Sequence, residues 1–267
     1  MTENLHDAIA AGRVTIGSWL TIPHPGMAEV MAASGLDWLV LDLEHGGYDL
    51  ESATDLMRGM TATRPACRAF ARVTENDTLA IRRALDAGAY GVIVPLVNTR
   101  EGAERAVAAA HYPPRGVRGY GFTRANLYGT EFAPHLEWAE REHTVVVQIE
   151  HYEAVEHIDE IVSVEGVDCA FVGPWDLSGS MGIPGQLDHP RVQAALERVV
   201  ACCREHGKAA GMLITFPTAE AIAEALSQGF TFLALGVDAL VLALGYREIV
   251  ATARRAAGGD EPGRPRV

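Results

Sequence analysis

Across 267 residues the chain has one lysine, Lys208, and its 22 basic residues face 35 acidic ones for a net charge of −13. That balance excludes a nucleic-acid role resting on neutralised phosphates. Cysteine is scarce too. Cys67, Cys169, Cys202 and Cys203 form no C-x-x-C pair, so neither a zinc knuckle nor a disulfide framework is expected, and the reducing cytoplasm is the expected location. No apolar run approaches the roughly 20 residues that span a bilayer. The opening MTENLHDAIAAGR has no basic segment followed by an apolar core, so no signal peptide and no membrane partner are expected. Nucleophile-elbow, phosphate-loop and dinucleotide-binding motifs are also missing; Gly119-Tyr120-Gly121 lies in a loop and opens no helix.

What is present is alternation. Short apolar runs at 14–21, 37–43, 67–73, 90–95, 144–149, 168–172, 209–214 and 231–235 read as strands. Between them, 51–63, 76–87, 99–110, 151–162, 190–206 and 218–228 repeat apolar residues with helical period. Strands apolar on both faces and separated by helices build a parallel sheet covered outside by helices. Eight of them close a (β/α)8 TIM barrel, which needs roughly 250 residues. Residues 1–256 are expected to form that single domain, and the composition of 257–267 predicts a disordered tail. Asp49, Asp77 and the Asp188-His189-Pro190 step mark helix starts. The long connection 111–130 is expected to be functional because of its length.

Active sites of such barrels sit where the strands end. Those positions hold Asp42-Leu43-Glu44-His45-Gly46-Gly47, Arg72, Gln148-Ile149-Glu150 and Gly173-Pro174-Trp175-Asp176. Glu150 and Asp176 follow neighbouring strands, and two converging carboxylates suit a hard divalent ion such as Mg²⁺ or Mn²⁺; each alone also reads as a helix cap. His45, beside a glycine pair, is a candidate base or an idle surface histidine. Arg72 in an apolar strand needs an anion, from substrate or from a neighbouring acid. Asp42 and Asp86 are candidates to orient Arg72 or His45. Lys208 precedes the seventh strand, at the end opposite the strand termini, which excludes Schiff-base chemistry inside the barrel.

Leu-Asp-Leu-Glu-His-Gly (41–46), Arg72, Ala-Leu-Asp-Ala-Gly-Ala (84–89), Gln-Ile-Glu (148–150) and Gly-Pro-Trp-Asp-Leu-Ser (173–178) resemble, in order and spacing, the HpcH/HpaI class II aldolases. Tyr-Pro-Pro-Arg-Gly-Val-Arg-Gly (112–119), Val-Glu-Gly-Val-Asp (164–168) and Leu-Gly-Val-Asp (235–238) extend the resemblance over about residues 5–250. It implies a metal-dependent lyase that joins or parts a pyruvate enolate and an aldehyde in a 2-keto-4-hydroxy (3-deoxy) acid. Glu150 and Asp176 would hold Mg²⁺ or Mn²⁺, with Co²⁺, Ni²⁺ or Zn²⁺ as alternatives. Gln148, Gly173, Pro174 and Trp175 would bind substrate, and Arg72 would meet the enolate oxygen. His45, oriented by Asp42 or Asp86, would act as base. Arg118 and Arg124 would meet a second anionic group, with Tyr120 or Tyr128 lining it, although Arg118 reads equally as a loop brace. The resemblance also implies a homo-oligomer, a hexamer built as a trimer of dimers with exchanged C-terminal helices, and the apolar stretch 239–244 suits that interface or a core helix. The same core would serve oxaloacetate decarboxylation or a macrophomate-synthase-like coupling; a non-catalytic barrel binding a small acid is the remaining alternative.

Overall fold

Each of the eight apolar runs becomes a strand: β1 (Thr15–Leu20), β2 (Trp38–Asp42), β3 (Arg68–Arg72), β4 (Gly91–Val94), β5 (Thr144–Ile149), β6 (Cys169–Val172), β7 (Ala209–Ile214) and β8 (Phe232–Val237). All pair in parallel and in chain order, and β8 returns to β1 to close the barrel. The computed structural model describes residues 4–257. Burial on both strand faces explains the near-continuous apolar character of β2, β4, β5 and β6.

Helices α1 (Leu5–Ala10), α2 (Pro25–Ala33), α3 (Leu50–Thr63), α4 (Thr78–Asp86) and α5 (Arg100–Ala110) accompany the first half of the chain. A 3-10 turn (Arg124–Gly129) and α6 (Phe132–Glu142) lead into β5. Then come α7 (Tyr152–Glu156), α8 (Ile158–Val162), α9 (Pro174–Ser180), α10 (Pro190–Glu205), α11 (Ala219–Gln228) and α12 (Asp238–Ala256). The expected starts are found with their physical cause. Asp49 accepts the Ser52 N–H, Asp77 accepts those of Leu79 and Ala80, and Pro190 opens α10, with the His189 ring rather than Asp188 accepting the Arg191 N–H. The expected helix 151–162 is broken in two at His157.

Two cores result. The outer one lies between strands and helices and is aliphatic, for example Leu39, Leu56, Val92 and Ile161. The inner one fills the barrel with aromatic rings. Trp38 stacks on Phe232 with centroids 3.9 Å apart, and Phe70 and Phe171 meet Phe232 edge-on. The rings fit because glycine faces them: a Cβ on Gly17 would lie 2.1 Å from the Trp38 indole. A packed interior leaves the rims as the places for chemistry.

The last helix departs from the barrel. Of α12 only Asp238 is buried, where it accepts hydrogen bonds from Thr21 and Ile22. Val241, Leu242, Leu244, Tyr246, Ile249 and Val250 are exposed, so 239–244 is no core helix of this chain. Ala257 caps α12; residues 258–267 of the expected tail lie outside the described residues. Among the described residues no helix is long and apolar enough to cross a membrane.

Candidate active site

The register of β2 on β3 sets Asp42 directly beside Arg72 at the C-terminal rim. Arg72 donates from Nε and Nη2 to the two Asp42 oxygens at 2.9 and 2.7 Å, and its Nη1 lies 3.0 Å from Glu44 Oε2. The guanidinium is buried over the Trp19 ring, 5.4 Å from the centroid. Burial works against its charge, but Asp42, Glu44 and Glu150 outweigh that and keep it firmly protonated. Beyond β2 the chain turns back so tightly that a Cβ on Gly46 would lie 2.0 Å from the Asp42 carbonyl oxygen. The Tyr48 hydroxyl locks the turn, accepting from Asp42 N–H and donating to the Leu20 carbonyl, each at 2.7 Å.

On the other side of the mouth, Glu150 is buried at the end of β5. One oxygen accepts from Gln148 Nε2 at 2.5 Å and the other from the Leu96 N–H at 2.8 Å. Leu96 presents that N–H from a left-handed backbone (φ 52°), a conformation that is strained for leucine. Burial raises the Glu150 carboxyl to about 7, helped by repulsion from Glu44 and Asp176. Glu44 is raised as well, chiefly by burial. Gly173 permits the close approach of β6: a Cβ there would lie 3.2 Å from that of Glu150. Asp176 follows in the first turn of α9.

Asp42, His45, Arg72, Gln148, Gly173, Pro174, Trp175 and Asp176 share one cavity of about 240 Å³, with Trp19, Leu213 and Thr215 in its wall. Sequence reasoning missed Trp19, although it lies on the inward face of β1 with Gly17 and was open to the same strand-end reading. It also passed over Glu44, which sits inside the quoted strand-end motif. His45 is at the mouth with a side chain 72% exposed, and its Nε2 stands 4.0 Å from Glu44 Oε2.

Three expectations need correction. Asp42 does not hold the His45 ring; its Oδ1 accepts the Glu44 and His45 backbone N–H groups, each at 3.2 Å, and its two oxygens accept from Arg72. Asp86 orients neither residue within this chain. It ends α4, on the rim where strands begin, and pairs at 2.8 Å with Arg118. The segment 111–130 belongs to that same rim because it carries the chain from α5 back towards β5. Arg118 is fully buried there, 4.5 Å over the Tyr112 ring, and braces the loop. Arg124 donates to the Ala87 carbonyl, and Tyr120 and Tyr128 are exposed; none of them lines this chain's mouth cavity.

Comparison with known proteins agrees with this architecture. The family model described as HpcH/HpaI aldolase/citrate lyase matches residues 15–243. The chain belongs to that family. Within it, a 5-keto-4-deoxy-D-glucarate aldolase from Shigella boydii serotype 18 is 40% identical over 232 residues, 86% of this chain and 88% of the relative. A solved HpcH/HpaI family protein from Burkholderia cenocepacia J2315 superposes with TM-score 0.89 at 30% identity, covering 94% of this chain and 98% of that one. The citrate synthase SbnG follows with TM-score 0.85 at 32% identity, over 96% and 99%. A fold and a family of carbon–carbon lyases are thereby established.

Proposed function

We propose that the protein is a metal-dependent class II aldolase that joins or parts a pyruvate enolate and an aldehyde, acting on a 2-keto-4-hydroxy acid. The observation carrying this reading is the charge at the mouth. Asp42, Glu44, Glu150 and Asp176 gather at a mouth that holds one guanidinium, that of Arg72, which already serves two of them. Such an excess of carboxylate calls for a cation. Glu150 and Asp176 supply hard oxygen donors, and Gln148 Oε1 is buried without a partner beside them. Glu150 and Asp176 would hold Mg²⁺ or Mn²⁺, with water and substrate oxygens as the further donors, since among the described residues no group of three or more His, Cys, Asp or Glu could hold an ion by itself. When bound, the ion polarises the keto group and makes the adjacent methyl acidic.

The chain's own residues do the rest. Arg72, fixed bidentately by Asp42, offers charge to the developing enolate oxygen without having to reorganise. His45, exposed at the mouth beside Glu44, accepts the methyl proton. Trp19 and Phe171 shield one side of the cavity from water. The exposed apolar face of α12 supports a homo-oligomer in which this helix packs on a second copy. A chelator should abolish aldol cleavage and Mg²⁺ or Mn²⁺ should restore it. Glu150→Gln and Asp176→Asn should each lose bound metal by elemental analysis, and stoichiometric metal in either variant would refute the ligand assignment.

A further inference from the structure

Two strand ends set the surroundings of Arg72, and one side chain ties them together. β1 supplies Trp19, whose ring faces the guanidinium, and β2 supplies Asp42, which accepts from it on both oxygens. Leu20 opposite Leu41 is the last pair of the β1–β2 ladder. There the Tyr48 hydroxyl accepts the Asp42 N–H and donates to the Leu20 carbonyl. Its proton and a lone pair thus serve two backbone groups on different strands. Burial pushes the phenol's ionisation upward, so the donor to Leu20 is retained.

Packing alone does not place this ring. Tyr48 is half-buried, and it borders a cavity of about 260 Å³ that Leu43, Leu50, Val73 and Arg83 also line. Gly46 makes room for it: a Cβ there would lie 2.7 Å from Tyr48 Cε1. The chain therefore returns to Asp42 after a turn that carries Glu44 and His45. Asp42 is buried, so without the hydroxyl its N–H would lose a partner that water does not readily replace, and the strand end would shift to find another.

We propose that Tyr48 is a positioning residue for Arg72: its hydroxyl fixes the ends of β1 and β2 and, through Asp42, holds the guanidinium where the enolate oxygen develops. The inference rests on the aldolase reading above. Every bond in this relay runs within one chain, from Leu20 through Tyr48 and Asp42 to Arg72. Glu150 and Asp176, which that reading assigns to the metal, follow β5 and β6 instead. Loss of the hydroxyl should therefore separate turnover from binding.

The test follows pyruvate methyl-proton exchange in D₂O with full-length, Mg²⁺-loaded protein, at a temperature below the melting range of each variant. Tyr48→Phe keeps the ring and removes the hydroxyl. Its kcat should fall roughly tenfold or more, since a catalytic group displaced by about 1 Å can cost about 10²-fold. KM for pyruvate and the calorimetric Mg²⁺ affinity should stay within about twofold. Tyr90→Phe is the matched control: that hydroxyl accepts the His6 N–H and donates to Asn4 Oδ1 on the rim where strands begin. Both variants should melt lower, and only Tyr48→Phe should lose turnover. In an Arg72→Met background Tyr48→Phe should change kcat less than about twofold, because the group it positions is gone. Tyr48 replaced by p-aminophenylalanine keeps the ring and the donor to Leu20 but accepts poorly from the Asp42 N–H. Should the phenylalanine variant fail to fold, this one should still show the fall in kcat. Wild-type kcat in a folded Tyr48 variant, an equal loss in Tyr90→Phe, or an undiminished loss in the Arg72→Met background would overturn the inference. No methyl exchange in the wild type would instead sink the aldolase reading, and the positioning role with it.

Discussion

Arg72→Met separates what the arginine does for the fold from what it does for the chemistry. The Asp42 side chain is 2% exposed and has Arg72 as its counter-charge on both oxygens, so the substitution leaves a buried carboxylate without a cation, its Oδ1 still accepting the Glu44 and His45 N–H groups. Breaking a buried pair by removing one partner costs about 3–5 kcal/mol. In a chain of this size each kcal/mol moves the melting midpoint by roughly 2–4 °C, which predicts a fall of about 6–20 °C. Asp42→Asn in the same chain removes the stranded charge, so the double variant should recover much of that stability. Turnover should behave differently. A donor aimed at developing negative charge is worth about 3–4 kcal/mol in the barrier, a loss of some 10²–10³ in kcat, and Asp42→Asn cannot restore it. Thermal melts and steady-state kinetics on the two single variants and the double provide the cycle. Activity returning together with stability would reduce Arg72 to a structural ion pair, and a melting shift below about 2 °C in Arg72→Met would refute the buried-pair argument itself.

Proton and metal should compete at Glu150, whose carboxyl is raised to about 7 by burial and by Glu44 and Asp176. Metal affinity, read by calorimetric titration, should therefore fall up to tenfold per pH unit below about 7, and a pH-independent affinity from 5 to 8 would contradict this. In chelator the sign for stability follows from the same shift. A carboxylate raised above its unfolded value contributes stability at low pH that is lost as pH rises through about 7. Glu150→Gln should accordingly melt above the wild type at pH 8, with the difference shrinking towards pH 5; equal melting at pH 8 would refute it. Gly17→Ala should destabilise by about 1–3 kcal/mol or more, because the new methyl meets the Trp38 indole at 2.1 Å. A neutral result in chemical denaturation would show that the aromatic plug has room to move.

The barrel was legible because its signal is repeated eight times. Every apolar run became a strand within two or three residues of its expected ends, since burial on both faces leaves no polar position to blur the pattern. The helices that escaped notice bury little. α2 hides only Ala28 and Ala32, and α6 only His135 and Ala139, so neither shows a bulky apolar stripe. At the mouth, strand-end reading gathered Asp42, His45, Arg72, Gln148, Gly173, Pro174, Trp175 and Asp176 into one cavity, with Glu150 beside it, because the rim is fixed by topology alone. The same topology was under-used for Asp86 and for 111–130. Both precede a strand rather than follow one, which assigns them to the far rim whatever their chemistry or length. Side-chain choice among several acids was beyond the sequence. That Arg72 takes Asp42 bidentately, and Glu44 as well, depends on the in-register pairing of β2 with β3 and on the sharp turn at Gly46.

The central claim is that the residues at this mouth make pyruvate's methyl group acidic. Proton NMR of pyruvate in D₂O measures that directly, without an acceptor. With Mg²⁺ and the wild-type protein the methyl signal should disappear far faster than in buffer; chelator should abolish the effect, and His45→Ala should slow it while leaving bound metal unchanged. Methyl exchange no faster than in buffer, with metal demonstrably bound, would contradict the account.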